Sequence, residues 1–375
     1  MIRGKADRGN TEKGAKHFSR ERMKVMPEDA RMMLNPADVL TIQKAHATAV
    51  EELLDPSKPR RNVIGVGSGV KWRNGQPTGE PALLVLVTQK LAKEEISGPD
   101  LVPSRLADMQ TDVLAIGYPV AGRGEAMDAG IGIQTLAQHA RPARGGYSVG
   151  HKKITAGTIA TCVYDILPGG KVSPPAHGIG IPSKYYILSN NHVLANTNDA
   201  FFGDSILQPG PFDGGIDPAD RIATLSRFIP ITLEPPIPRG LHSNLVDAAV
   251  AEGQFHDLDR EVYWTGRVRG WRRKAGVTVG TLVQKTGRTT NYTTGRITAV
   301  SATVDVGYGG GRVARFVDQI ITTNISAGGD SGSLVATLDN IAVGLLFAGS
   351  SIATIVNQIE NVRSLLRVEV AEEIL

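Results

Sequence analysis

The sequence predicts a mainly β protein, a small α/β module ahead of a larger β domain, and three observations carry that prediction. The 375 residues include 43 glycines and 21 prolines, a punctuation that suits many short strands better than long helices. Short apolar runs separated by glycine turns recur through the second half of the chain. Apolar residues at helical spacing are confined to a stretch near the front and another at the end. The length exceeds one ordinary domain and can bury a sizeable core. The divisions expected are a basic tail (1–32), the α/β module (33–121), a linker (122–146) and the β domain (147–375).

Residues 1–32 mix Lys, Arg, Glu, Gly and Ser with few large apolar side chains, so they cannot bury enough surface to offset their ordering entropy and are expected to be disordered. Asn35-Pro36 then offers an N-cap with proline at the first helical position. Val39, Leu40, Ile42, Ala45, Ala49, Val50, Leu53 and Leu54 follow at helical spacing, which predicts a helix of about five turns. Residues 56–61 break it, and 62–71 read as a strand. The three glycines in that strand invite a phosphate-loop reading, but they run into another extended segment and not into a helix N-terminus, so an ordinary strand is the better account.

Asn74-Gly75 reads as a hairpin turn with residues 81–88 as the buried partner strand. Residues 101–103 and 111–117 add further strands. This module carries no obvious catalytic group; regulatory, oligomerising, substrate-recruiting and purely packing roles all stay open to it. The linker is rich in Gly, Ala and Arg, with a short helical piece around 133–139. Beyond it the predicted strands are 158–165, 185–189, 262–268, 295–306, 315–322, 333–337 and 341–347, closed by a helix over 359–366.

Composition excludes several classes. One cysteine, Cys162, rules out an internal disulfide framework. No apolar run approaches the roughly 20 residues of a membrane span, and the N-terminus lacks the apolar core of a signal peptide. A cytoplasmic location is therefore expected. The net charge of +4 and pI near 9.1 come from charges spread along the chain and concentrated at its front, which is weak ground for a nucleic-acid partner. No histidine pair has the spacing of a zinc helix. His17 lies in the tail and His46 on the first helix, while His139, His151, His177, His242 and His256 fall in connections where exposure is the ordinary state. Asp204, Asp213, Asp217 and Asp220 lack the order of a calcium loop and read as turn formers. Neither metal nor cofactor is expected.

The chemistry centres on Gly328-Gly329-Asp330-Ser331-Gly332-Ser333. A plain turn would explain such a string, but a nucleophilic serine also needs backbone amides aimed in one direction, and a Gly-x-Ser turn presents those of Gly329 and Ser331. Upstream, the apolar run 185–188 ends in Ser189-Asn190-Asn191-His192, which places a histidine where a strand stops. Asp247 lies between the two, a single acid among small apolar residues, and a buried carboxylate needs a partner. The order His, Asp, Ser is that of the chymotrypsin-type triad.

Leu188-Ser189-Asn190-Asn191-His192, Val246-Asp247-Ala248-Ala249 and Gly329-Asp330-Ser331-Gly332-Ser333 resemble the three signature segments of trypsin-like serine peptidases, with HtrA proteases as more distant relatives. Gly203-Asp204-Ser205-Ile206-Leu207-Gln208-Pro209-Gly210-Pro211, Gln284-Lys285-Thr286-Gly287-Arg288-Thr289-Thr290 and Val343-Gly344-Leu345-Leu346-Phe347-Ala348-Gly349 carry a closer resemblance, to bacterial relatives of the plant narrow-leaf protease. It covers most of the chain from about residue 141 onward and, more loosely, residues 62–117. What it implies is a chymotrypsin-like double β-barrel over 147–375 that hydrolyses peptide bonds through His192, Asp247 and Ser331, with an oxyanion hole at Gly329 and Ser331. Ile325, Ser326, Phe347, Ala348 and Gly349 would form the specificity pocket, which has no acid and so favours an apolar side chain.

Two rival functions stay open at this level: a non-catalytic interaction protein on a protease scaffold, and an esterase-like hydrolase with the same triad. The expected partners are a protein or peptide substrate, and a regulatory protein or second copy met through the N-terminal module; a membrane is not expected. In digestive relatives the acid before the serine pairs with a newly cut N-terminus; here Asp330 is expected to find an internal donor.

Overall fold

The computed structural model describes residues 28–122, 135–154, 156–166, 184–370 and 373–374. Most of the expected tail, the first residues of the helical piece in the linker, His17 and His177 lie outside the described residues. The end of the tail is ordered: Glu28–Met32 forms a helical turn, and the chain beyond it is pinned by the buried side chain of Leu34.

Helix α1 (Pro36–Leu53) starts where the sequence places it, with Asn35 Oδ1 accepting from the Asp38 amide at 2.9 Å. Its buried positions are Ile42, Ala45, Ala49 and Leu53, one stripe at helical spacing. Burying Ile42 and Leu53 contributes about 1.5–3 kcal/mol each. The stripe packs on Val66 and Val70 of β1 (Val63–Arg73) and Leu83 and Val85 of β2 (Gln76–Val87). Asn74 and Gly75 join the two strands with φ of 50° and 76°, the left-handed pair that a tight hairpin turn requires. Strand β3 (Met109–Ala115) lies parallel to β2. Residues 101–103 are irregular and not a strand: Pro103 has no amide to give a ladder, and its carbonyl accepts from Thr111 Oγ1.

The first large sheet has eight strands. In spatial order it runs from Val368–Glu369 through Thr161–Asp165, Tyr185–Ser189, Ala249–Gly253, Arg221–Phe228, Ser205–Leu207 and Ser148–His151 to Gly157–Thr158. Gly157–Thr158 and Thr161–Asp165 belong to one stretch of chain, so this sheet curls until its ends meet. Its interior is filled by Val149, Ile187, Ile206, Leu225, Ala249 and Ala251.

The second sheet contains β4 (Leu282–Gly287), β5 (Asn291–Gly307), β6 (Val313–Thr323), β7 (Leu334–Thr337), β8 (Ile341–Gly349) and β9 (Ala353–Gln358). The order β4-β7-β8-β9-β6-β5 returns to β4, because β4 also pairs with β5, and the six strands form a closed barrel. Closure removes the exposed edges an open sheet would leave. The fold is mainly β, a double barrel with a small helical and hairpin addition at the front. Helix α2 (Ile359–Leu366) seals the seam between barrels, its Ile359 and Val362 packed with Leu188 and Val250 of the first and Leu334 and Leu345 of the second.

The front module is joined to this framework through hydrogen bonds as well as packing. Strand β1 pairs antiparallel with β5, Gly65 opposite Val304 and Val66 opposite Thr303. Of the three glycines that invited a phosphate-loop reading, Gly65 and Gly67 lie inside this pairing and Gly69 directly follows it. Residues 262–268 break into two short strands around Trp264, whose φ is 70°, and residues 135–139 are irregular where the linker helix was expected.

Two histidines expected in exposed connections are buried. His151 ends a strand and meets Asp204 Oδ2 through Nε2 at 3.1 Å; His242 meets the Ile237 carbonyl at 2.9 Å and the Arg315 amide at 3.2 Å. Asp204 also pairs with Lys152, Asp213 with Arg288, and Asp220 with the Ile216 amide. Among the described residues no group of His, Cys, Asp and Glu is placed to hold a metal ion, and no helix is long and apolar enough to cross a membrane.

Burial lowers the pKa of both His46 and His151 below 6.5, despite the opposing pull of Asp318 on the first and Asp204 on the second. The unfolded chain therefore takes up protons near pH 6.5 that the folded chain refuses, and stability falls as pH drops through that value. Melting temperature measured from about pH 7.5 to 5.5 should decline, and His46→Gln with His151→Gln should flatten the decline. An unchanged slope in the double variant would refute this assignment.

Candidate active site

His192 sits in a short helix, Asn191–Leu194, at the end of strand Tyr185–Ser189. The polar string before it is a set of anchors. Ser189 Oγ donates to the Thr158 carbonyl at 2.7 Å, Asn190 Nδ2 to the Asp247 carbonyl at 2.7 Å, and Asn191 Nδ2 to the Ile229 carbonyl at 2.7 Å. The strand end is thereby fixed to its neighbours, and the imidazole is aimed by backbone that has no freedom left.

Asp247 lies just before strand Ala249–Gly253 and is wholly buried. Its Oδ1 accepts from the His192 amide at 3.1 Å and its Oδ2 faces His192 Nδ1 at 2.6 Å. A carboxylate can only accept, so Nδ1 carries a proton and Nε2 is the ring nitrogen turned away from Asp247. Nε2 is buried without a hydrogen-bond partner among the described residues.

Two further contacts to Asp247 have no signal in the sequence. Tyr308 Oη donates to Oδ2 at 2.7 Å, and Asn357 Oδ1 accepts from the Asp247 amide at 3.0 Å. Burial, then the charge and hydrogen bond of Asp247, push the Tyr308 phenol well above its ordinary range, so it stays a donor. Tyr308→Phe should cost about 1.5–3 kcal/mol, the usual worth of a hydrogen bond to a charged group, and should also slow turnover by loosening the carboxylate that orients His192. Denaturant unfolding and steady-state kinetics check both; stability within about 0.5 kcal/mol of wild type would mean water replaces the phenol.

Ser331 lies in the turn between β6 and β7, with its hydroxyl 3.5 Å from the Phe347 carbonyl of β8, at the outer limit of a hydrogen bond. It makes no bond to His192 Nε2. The two segments are joined through Thr158, whose amide donates to the Ser331 carbonyl at 2.7 Å while its carbonyl holds Ser189. Gly329 and Gly332 have φ of 97° and 96°, and a Cβ at Gly332 would come within 2.1 Å of Ser189 Oγ, so only glycine permits this turn. The amides of Asp330, Gly332 and Ser333 are engaged by the carbonyls of Ala327, Leu346 and Asp330. Those of Gly329 and Ser331 have no such partner among the described residues.

The acid before the serine has internal donors. Asp330 is buried and accepts from the amides of Thr289 at 2.8 Å, Thr290 at 3.2 Å and Ala327 at 3.0 Å, and from Thr290 Oγ1 at 2.6 Å. Lys285 Nζ lies 3.3 Å from Oδ2, with both side chains buried. Burial lowers the Lys285 pKa and the Asp330 charge opposes that loss.

The residues assigned to a specificity pocket divide. Ser326 Oγ meets Thr354 Oγ1 at 2.8 Å and lies where a Cβ on Gly349 would approach it at 3.1 Å, so Ser326, Thr354 and Gly349 sit together. Ile325 points the other way, into the core with Val283, Ile297 and Val335. Phe347 and Ala348 pack with Tyr308 and Phe316, leaving the Phe347 carbonyl beside the serine. Thr354 joins Ser326 and Gly349 in this group, which the sequence alone did not suggest.

No family profile matches this sequence, and no curated protein matches it by sequence. Among solved structures, similarity extends to protease A of Thermobifida fusca, at 16% identity over 61% of this chain and 98% of that one, with a TM-score of 0.41. Nocardiopsis protease gives 16% identity, the same coverages and the same TM-score of 0.41. A glutamic-acid-specific serine protease gives 20% identity over 60% of this chain and 99% of its own, with a TM-score of 0.40.

Proposed function

We propose that this chain is a serine endopeptidase. The observation that carries the reading is the buried His192–Asp247 pair, closed at 2.6 Å with Nε2 unpartnered, adjoining a glycine turn that holds Ser331. In the reaction Ser331 Oγ attacks the scissile carbonyl carbon while its proton passes to His192 Nε2. The carbonyl oxygen becomes the oxyanion and takes hydrogen bonds from the Gly329 and Ser331 amides. Collapse breaks the C–N bond, His192 returns the proton to the leaving amine, and an acyl ester remains on Ser331. Water, deprotonated by the same Nε2, hydrolyses that ester. Asp247 keeps the proton on Nδ1 in the resting ring and stabilises the imidazolium.

The test is labelling of Ser331 by a fluorophosphonate in wild type and in His192→Ala, together with turnover of peptides and small esters. Labelling that depends on His192, with peptide cleavage, supports the reading. Ester turnover without peptide cleavage would make the chain an esterase, and no labelling at all would leave a scaffold.

We further propose an apolar preference before the scissile bond. Neither 325–329 nor 345–349 carries an acid, so an Arg or Lys entering beside Ser326 and Thr354 would be unpaired, at a cost of several kcal/mol. An aliphatic side chain gains about 0.8 kcal/mol per buried methylene. Cleavage-site profiling in a peptide library should return small or medium aliphatic residues; a dominant Arg or Lys would overturn the assignment. The lone Cys162 is buried and free, which fits a protein working in a reducing compartment such as the cytoplasm.

A further inference from the structure

The end of the front module lies in the candidate cleft. Val120 forms an antiparallel bridge to Gly349, its amide donating to the Gly349 carbonyl at 3.0 Å and its carbonyl accepting from the Gly349 amide at 3.3 Å. On its other side the Ala121 amide donates to the Gly307 carbonyl at 2.9 Å. Ala121 is buried among Tyr308, Phe347 and Ala348. Continuing the antiparallel count from Val120–Gly349 sets Gly122 opposite Phe347, the residue whose carbonyl lies beside Ser331. A Cβ on Gly122 would stand 3.2 Å from His192 Cδ2. An extended peptide that brings a carbonyl to Ser331 along β8 would form these same backbone hydrogen bonds, the usual chemistry of strand addition.

Resting on the serine-peptidase reading, we propose that residues 118–122 are a tethered competitor of substrate, a strand of this chain that occupies the Gly349 edge and is displaced when a substrate strand binds. Gly122 explains why the segment blocks the cleft and is not itself aligned for attack. Its φ is 76°, so the backbone leaves the extended course at the residue nearest the histidine. The hold is local: Tyr118 and Gly122 are exposed, Pro119 and Ala121 are buried, and four backbone hydrogen bonds carry the segment, two to Gly349 and two to Gly307, whose amide also donates to the Pro119 carbonyl at 3.0 Å. A tether makes such a short contact effective, because a covalently linked strand competes at an effective concentration in about the millimolar range.

The experiment uses the full chain in a Ser331→Ala background, where a peptide binds without being cut. The probe is a fluorescent blocked peptide with the sequence of residues 118–122, titrated by anisotropy. Val120→Pro removes the amide that donates to Gly349 and should tighten probe binding at least tenfold. Gly122→Val, which pushes a branched side chain toward His192 at a left-handed φ, should act in the same direction and decides the matter should Val120→Pro fail to unfold cooperatively. Affinities within twofold of the parent in both variants overturn the proposal. The peptidase reading is scored separately in the Ser331 chain. Tighter binding in the variants with no hydrolysis by that chain would keep the tethered strand and sink the peptidase, whereas hydrolysis with unchanged probe affinity would do the reverse.

Discussion

Ser331→Ala is expected to abolish peptide hydrolysis and leave the fold standing. The hydroxyl makes a single long contact, 3.5 Å to the Phe347 carbonyl, so little stability leaves with it. The turn is held by groups that the substitution does not touch: the left-handed glycines, Asp330 and Thr158. The loss of turnover should be on the order of a million-fold, because members of a triad act as a unit and removing the nucleophile removes the acyl intermediate. His192→Ala should fall nearly as far, and Asp247→Asn by about ten-thousand-fold, because an amide in place of the carboxylate favours the wrong imidazole tautomer. Single-turnover peptide cleavage, with unfolding curves beside it, measures both halves. Retained cleavage in Ser331→Ala, with its melting curve unchanged, would remove Ser331 from the chemistry.

The second large effect is on stability. Lys285→Met should destabilise the protein by about 3–5 kcal/mol, the range found when one partner of a buried ion pair is removed and the other stays charged. The low end is expected, because three amides and a hydroxyl still face Asp330. Under the proposed function turnover should fall as well, since Asp330 Oδ2 holds the Ala327 amide and so shapes the turn that carries Gly329 and Ser331. Pairing the change with Asp330→Asn removes the stranded charge and should recover most of the stability. Equilibrium unfolding of the single and double variants decides it; a loss below about 1 kcal/mol in Lys285→Met would mean that the four remaining donors suffice.

Much of the candidate site's geometry was legible because its parts are local. A strand that ends in polar anchors, an acid among small apolar residues and a glycine turn each leave a mark within ten residues, and the paired glycines cannot be replaced where they stand. The helix ending at Leu53 and the turn at Asn74-Gly75 were legible for the same reason, since caps and left-handed turns are set by neighbouring residues. What escaped was non-local. Tyr308 and Asn357 reach Asp247 from the second barrel, and neither lies in a string that marks it out. Lys285 stood in a string quoted for its resemblance, with no role attached, and only barrel closure puts it beside Asp330. Buried His151 and His242 escaped because their partners, Asp204 and the Ile237 carbonyl, lie in loops whose course depends on the finished barrel. Ile325 was assigned to the cleft by counting along the chain, yet it faces Gly295 and the core.

The pairing of β1 with β5 has a consequence for the chain as it is made. Val66 leaves the ribosome more than two hundred residues before Thr303, its partner across the ladder. At about 5–20 residues per second the front hairpin waits from roughly ten seconds to most of a minute with one edge open. An open edge of that age is a template for the wrong strand. Gly65, Gly67 and Gly69 make it a poor one, because glycine offers a stranger no side chain to pack and gives up the most freedom on pairing. The same residues therefore act twice, discouraging partners during synthesis and admitting β5 at close range once it arrives.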